Sequence, residues 1–376
     1  MEDKIITIAT HPYSRAQLLR GRLEAEGIEC FLSNINLVQP QISGGVKIKI
    51  NEKDAEKALK IIDEIKEEYG EAKQKTVERL KNIRRILVPV DFSDSSINAC
   101  NFAIGLAAKL KAEIKLIYSY FNPIVISEPY LEDSSYIFQM DKVVGNIAAE
   151  AKSQMIGMIA KIKQKAEKED SGRIKISYHL DRGSPDDVIL NFAESWDPGV
   201  IVMGTIGTDK ASTNYLGSVT KKIIARAQVP VLVVPQQSIY RGIHYISKVL
   251  YATNFDDSDF KALRTLMTLL RPFDVRIYCV HIATEEETMI DNAKMNSLKE
   301  HFKTEFNDFN LNCDLIRRND LVQGLEDYIE EKEIDLLALT THKRGVIERL
   351  FNPSLAKQML FHTNIPLLVF HSRSVG

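Results

Sequence analysis

Arg85-Ile86-Leu87-Val88-Pro89-Val90-Asp91-Phe92 opens a unit that the chain contains twice. Its echo, Lys248-Val249-Leu250-Tyr251-Ala252-Thr253-Asn254-Phe255, stands 163 positions later, counted from Asp91 to Asn254. A short run that is apolar at every position, as at 86–90, suits a strand buried on both faces, the kind found in parallel sheets. A second echo closes the unit. Gln228-Val229-Pro230-Val231-Leu232-Val233 returns 136 positions later as Asn364-Ile365-Pro366-Leu367-Leu368-Val369. Both ends match, so the chain carries an internal duplication. The offset falls from 163 to 136, which makes the second copy 27 residues shorter, and the stretch 122–168 is where the first copy holds the excess.

Between those ends strand and helix patterns alternate. The loop Asp91-Phe92-Ser93-Asp94-Ser95-Ser96 is rich in helix-capping residues, and the helix after it carries Ile97, Cys100, Phe102, Ala103, Leu106, Ala107 and Leu110 as a core-facing stripe. Further strand-like runs stand at 114–118, 174–179, 200–203 and 231–234, separated by helical patterns. Such alternation over about 150 residues argues for a parallel sheet with helices on both faces. The expected fold class is therefore α/β: two tandem open, mostly parallel five-stranded sheets with flanking helices, at residues 86–236 and 247–372.

Ahead of the repeat, residues 1–70 read as a small α+β domain. Ile5-Ile6-Thr7-Ile8-Ala9 is strand-like, a helix follows Ser14, and Val46-Lys47-Ile48-Lys49-Ile50 alternates with period two as a half-buried strand does. Asn51 and Asp54 are placed to cap a second helix. The charged, apolar-poor run at 71–85 reads as a linker.

A chain of 376 residues is too long for one comfortable core, in keeping with three domains. Its net charge of −2 supplies no global field toward nucleic acid or an anionic membrane. No apolar stretch approaches the roughly 18 residues of a membrane-spanning helix, and the start of the chain does not read as a signal peptide. Four scattered cysteines, Cys30, Cys100, Cys279 and Cys313, form no CxxC pair. A cytoplasmic, reducing location is the expectation.

The segment with chemical content runs from Gly204-Thr205-Ile206-Gly207 to Leu216-Gly217-Ser218, between a buried strand and a helix. Taken singly, each glycine reads as a loop or cap residue. Together they let backbone approach a ligand, and Gly217-Ser218 stands where a helix begins and its amides favour an anion. Ligands of open α/β sheets bind at the carboxyl ends of strands, near the switch in strand order. Asp91, ending the first strand, faces the same crevice.

The spacing Gly-x2-Gly-x9-Gly-Ser, with Asp91 ending strand one and Gly183-Ser184-Pro185 after strand three, resembles the ATP-binding form of the universal stress protein family. The resemblance implies that Asp91 meets the adenine or ribose side. It implies that Gly204, Gly207 and Gly217 line the ribose and phosphates and that Ser218 bonds a phosphate oxygen. ATP, with Mg2+, is the cofactor it implies, and pairing through the fifth strand its mode of association. That pairing is either an intramolecular pseudo-dimer of the two copies, through 231–234 and 367–370, or a homodimer. The amino-terminal unit resembles a family of small prokaryotic signal-transducing proteins.

The second copy breaks the motif. Gly204, Gly207, Gly217 and Ser218 become Thr340, Lys343, Pro353 and Ser354, while Asp91 becomes Asn254 and Gly183 becomes Asn319. A micromolar ligand carries about 8 kcal/mol. Losing two or three hydrogen bonds to charged groups, at about 1.5–3 kcal/mol each, leaves little of that. One nucleotide site per chain is expected. No HExxH or GxSxG motif suggests catalysis. The expected function is thus a nucleotide-dependent regulatory or stress-response protein. The alternatives are a slow ATPase, with Asp91 and Asp94 as its nearest acidic candidates, and an interaction module for an unnamed protein partner.

Overall fold

The strands of the repeat are apolar on both faces, and each face must find a helical layer. The computed structural model describes residues 5–11, 13–33, 46–62, 84–120, 134–168, 174–205, 216–236, 246–255, 257–283, 289–306, 309–318, 320–341 and 365–371. In the first copy, β4 (Arg85–Pro89), α3 (Asp94–Leu110), β5 (Glu113–Tyr120), α4 (Ser134–Lys168), β6 (Ile176–Arg182), α5 (Pro185–Trp196), β7 (Val200–Gly204), α6 (Ser218–Arg226) and β8 (Val231–Val234) follow in order. The second copy repeats them as β9 (Lys248–Ala252), α7 (Asp257–Leu270), β10 (Arg276–Ala283), α8 (Met289–Glu305), β11 (Asn310–Arg317), α9 (Leu321–Lys332), β12 (Leu336–Thr340) and β13 (Leu367–Phe370). Its counterpart of α6 lies outside the described residues.

The two expected five-stranded sheets join into one ten-stranded sheet, in the order β11-β10-β9-β12-β13-β8-β7-β4-β5-β6. Within each copy all neighbours are parallel. The junction is antiparallel, with Leu367 opposite Val233, Leu368 opposite Leu232 and Val369 opposite Val231. The pairing of the two fifth strands that the sequence suggested is therefore made within one chain. Each copy would otherwise present an apolar edge with unmet backbone donors and acceptors, and the junction satisfies both.

Alternate residues along each strand feed opposite cores. Ile86, Val88, Val200 and Val202 pack on one side with α3, α4, α7 and α8. Leu87, Ile201 and Met203 pack on the other with α5, α6 and α9. Both cores run through the junction, because Leu232 and Leu368 share the first while Val231 and Val369 share the second. The length difference between the copies resides largely in one helix: α4 has 35 residues and α8 has 17.

The amino-terminal unit contains β1 (Ile5–His11), α1 (Tyr13–Ala25), β2 (Cys30–Ser33), β3 (Val46–Asn51), a 3-10 turn (Glu52–Asp54) and α2, described over 55–62. Its sheet is antiparallel in the order β1-β3-β2, with β3 between the two strands that α1 connects, the split arrangement of a ferredoxin-like plan. Ala16, Leu19, Leu23, Ile48 and Ile50 close a separate small core. Asn51 precedes the 3-10 turn as expected, but its side chain makes no capping bond. Most of the charged run at 71–85 lies outside the described residues.

Leu368 is 1% exposed and sits in the middle of the junction. Truncating it to alanine removes buried methyl groups and leaves a cavity, at a cost of about 3 kcal/mol. Urea denaturation of Leu368→Ala, followed by exchange at β4 and β9, should show both copies losing stability together. Loss confined to one copy would contradict a shared core.

Candidate functional site

The sequence leaves β4 and passes directly into a helix, so the intervening residues must turn sharply. Phe92 does so at φ 64°, a left-handed backbone uncommon for a bulky residue. Its counterpart Phe255 repeats the turn at φ 65°. Ser93 is the N-cap of α3 and accepts from the Ser96 amide at 3.2 Å. The Asp91 carboxylate closes the turn by accepting from Ser93 N at 3.1 Å and Ser93 Oγ at 2.5 Å. Phe92 packs on Tyr118 at the end of β5, with ring centroids 4.7 Å apart. Burial pushes the Tyr118 phenol up, and the nearby carboxylates of Asp91 and Glu150 push it the same way.

The chain crosses to one side of β4 through β5 and β6, then returns to the other side through β7 and β8. The switch in strand order falls between β4 and β7, the place at whose carboxyl ends open α/β sheets take their ligands. Gly204 ends β7 beside this switch. A Cβ at Gly204 would stand 2.2 Å from Ser95 Oγ and 2.9 Å from Ser95 backbone. Glycine is thus required here for the amino end of α3 to reach the sheet. That requirement is one of packing, which the motif spacing alone did not reveal.

The stem of the following loop is pinned twice. Gly217 N donates to Thr205 O at 2.7 Å, and Thr220 Oγ1 donates to Gly204 O at 3.1 Å. The Gly217 amide is therefore committed to the stem and does not point at a ligand. Helix α6 begins at Ser218 with no side-chain cap and no acidic residue in its first turn. Its leading amides lack intrahelical partners, and Ser218 is exposed beside them. Ser95 Oγ and Thr205 Oγ1 are buried without a hydrogen-bond partner among the described residues. Asp91 follows the end of β4, Gly204 ends β7, and Gly217 and Ser218 open α6, whose start is bonded to the end of β7; Gly207 lies outside the described residues.

Behind the crevice, the turn after β6 is tied to β5 by Ser119 Oγ, which donates to Gly183 O at 2.6 Å. Asp186, 4% exposed, holds α5 to α6: it accepts from Ser184 Oγ at 2.6 Å, Lys222 Nζ at 3.1 Å and Arg226 Nη1 at 3.3 Å. The Ser184 hydroxyl, ahead of the Lys222 ammonium, holds its carboxyl below the ordinary range. Neither its burial nor its ion pairs were expected from sequence, although two acids opening one helix beside two bases on another carry the signal. Among the described residues no group of three or more His, Cys, Asp or Glu is placed to hold a metal, and no helix is long and apolar enough to cross a membrane. Cys100 and Cys279 are buried.

In the second copy, Asn254 replaces Asp91, and Thr340 replaces Gly204 with its side chain bonded to Asp259. Asn319, Lys343, Pro353 and Ser354 lie outside the described residues.

A duplicated five-strand unit in the order 5-4-1-2-3 defines an open, mostly parallel α/β class of protein. The sequence model of the universal stress protein family matches residues 82–235 and again 246–371. The chain belongs to this family. Residues 7–66 match the family described as "Putative prokaryotic signal transducing protein". Universal stress protein MJ0531 of Methanocaldococcus jannaschii is 32% identical over 151 residues, covering 40% of this chain and 81% of the relative. Universal stress protein Slr1230 of Synechocystis is 26% identical over 297 residues, covering 77% of this chain and all of the relative, so it spans both copies. The crystal structure of a universal stress protein from Archaeoglobus fulgidus superposes with a TM-score of 0.54 at 16% identity, covering 78% of this chain and 98% of that one. That likeness bears on the fold.

Two outcomes follow from this geometry. Gly204→Ala should lower the thermal midpoint without any ligand present, by about 1–3 kcal/mol of stability, because α3 must shift; an unchanged midpoint would contradict the packing role. The depressed carboxyl of Asp186 contributes stability above the unfolded value of about 3.9 and loses it as pH falls through the folded value. Thermal midpoints of the intact chain and Asp186→Asn should therefore differ near neutral pH and converge in acid.

Proposed function

We propose that the first copy binds ATP in the crevice between the ends of β4 and β7, and that the chain is a nucleotide-dependent regulatory protein of the cytoplasm. The reading keeps the division into units at 1–70, 86–236 and 247–372, with 71–85 as linker. The observation that carries it is the uncapped, acid-free start of α6 beside the switch point. Three amides without helical partners and the positive end of the helix dipole favour an anion there, and each hydrogen bond to a charged phosphate contributes about 1.5–3 kcal/mol.

The residue roles are adjusted to the geometry. Ser218, through its hydroxyl and amide, takes the phosphates. Gly204 and Gly217 shape the loop, with Gly207 between them as a further close approach. Asp91, whose carboxylate holds the Ser93 turn, stands at the adenine or ribose side. Mg2+ would enter with the nucleotide, since it keeps several waters and draws ligands from phosphates. The second copy contributes the fold and the junction, and a nucleotide bound next to β7 sits one strand from it.

Calorimetric titration of Mg·ATP into the nucleotide-stripped chain tests this, with Ser218→Asp alongside. An acid at that position suits the helix start yet repels phosphate, so it separates binding from folding. One site per chain, weakened at least about tenfold in Ser218→Asp at unchanged thermal midpoint, is the expected result. Equal affinity in the variant, or no binding in the intact chain, would refute the assignment.

A further inference from the structure

The second crevice is not simply the first with its glycines lost. Beneath it lies a carboxylate, Asp259, in the first turn of α7 and 1% exposed. Tyr251 Oη donates to its Oδ1 at 2.8 Å and Thr340 Oγ1 does so at 3.1 Å. Thr253 Oγ1 donates to Oδ2 at 3.0 Å and Asn254 N does so at 2.7 Å. Thr253 Oγ1 in turn accepts from Phe255 N at 2.9 Å, so the turn leaving β9 is part of the same network. Tyr251, Thr253 and Thr340 are all buried.

The matching positions of the first copy are Val88, Val90, Ser96 and Gly204. Three of them offer no side-chain polar group, and Ser96 Oγ donates locally to Ser93 O. The hydroxyls and the carboxylate thus replace their counterparts as a set. Their placement joins the amino end of α7 to the carboxyl ends of both β9 and β12, the two strands between which the second crevice would open. Among the described residues the first copy shows no such tie, and its Gly204 leaves room for α3 instead.

We infer that Asp259 is an internal anion that locks the second crevice shut, with Tyr251, Thr253 and Thr340 as its dedicated donors. A carboxylate accepts at both oxygens and donates at neither, so four converging donors suit it as they would suit no neutral side chain of that size. The lock makes the second copy's conformation a property of the chain rather than of any ligand. Its corollary, that only the first copy responds to nucleotide, rests on the ATP reading above.

Hydrogen exchange resolved by segment tests the lock in the full chain without nucleotide. Asp259→Ser installs the first-copy residue. Exchange at 251–260 and 336–341 should quicken at least about tenfold, while 88–97 and 200–205 stay as they were. Asp259→Asn keeps the volume and one acceptor for the rigid Asn254 amide, and should fall between the two; Thr340→Val, removing one donor, should show a smaller effect in the same segments. These two milder variants keep the test alive if Asp259→Ser does not fold. Unchanged exchange in Asp259→Ser or its folded substitutes would overturn the inference. So would quickening spread evenly over both copies, or Mg·ATP protecting 251–260 and 336–341 in the intact chain. The variant arm contains no nucleotide, so its outcome holds even for a chain that fails to bind ATP.

Discussion

The antiparallel contact of β8 with β13 is the interaction on which the rest of the structure depends. Two parallel five-stranded units, each ending in an apolar edge, cannot both leave that edge in water. Joining them edge to edge satisfies the backbone and fuses the helical layers above and below into continuous cores. It also places the two strand-end crevices in one rigid sheet, on units that run in opposite directions. Any change at the end of β7 is one strand from the seam and two from the other copy.

Within that frame the copies have diverged in a coordinated way. The first keeps an uncapped helix start, a pinned loop and a glycine that admits α3 to the sheet. The second fills the same depth with a hydroxyl-lined carboxylate. Each solution is consistent within itself: a threonine in place of Gly204 would meet Ser95, and a serine in place of Asp259 would strand three buried hydroxyls. Buried polar groups without partners cost about 1–3 kcal/mol each, so exchanging one of these residues alone carries a penalty that exchanging the set avoids.

Much of the fold was legible in the sequence because the duplication marks itself at both ends. The apolar runs at 86–90 and 231–234, and their echoes, could hardly be anything but doubly buried strands. The fifth-strand pairing was implied by the family resemblance, which left open whether it is made within one chain or between two. The local bonding of the candidate residues was not legible in their spacing. Gly217 looked like a phosphate-facing amide, yet its N–H goes to Thr205 O, a tertiary partner that no spacing encodes. Gly204 looked like a ligand contact, and the reason for its glycine is Ser95, 109 positions earlier in the chain. Asp186 and Asp259 were missed because both are carboxylates on amphipathic helices, where the ordinary expectation is a solvated face. A signal existed for Asp259: Tyr251 and Thr253 interrupt a strand whose counterpart reads valine at both places.

The central claim is asymmetry: one copy open to nucleotide, the other closed by its own side chains. A crystal structure of the chain saturated with Mg·ATP tests it most directly. The account predicts a single nucleotide, with its phosphates against the Ser218 end of α6 and no ligand density at the ends of β9 and β12. A nucleotide in the second crevice, or phosphates held away from α6, would contradict it.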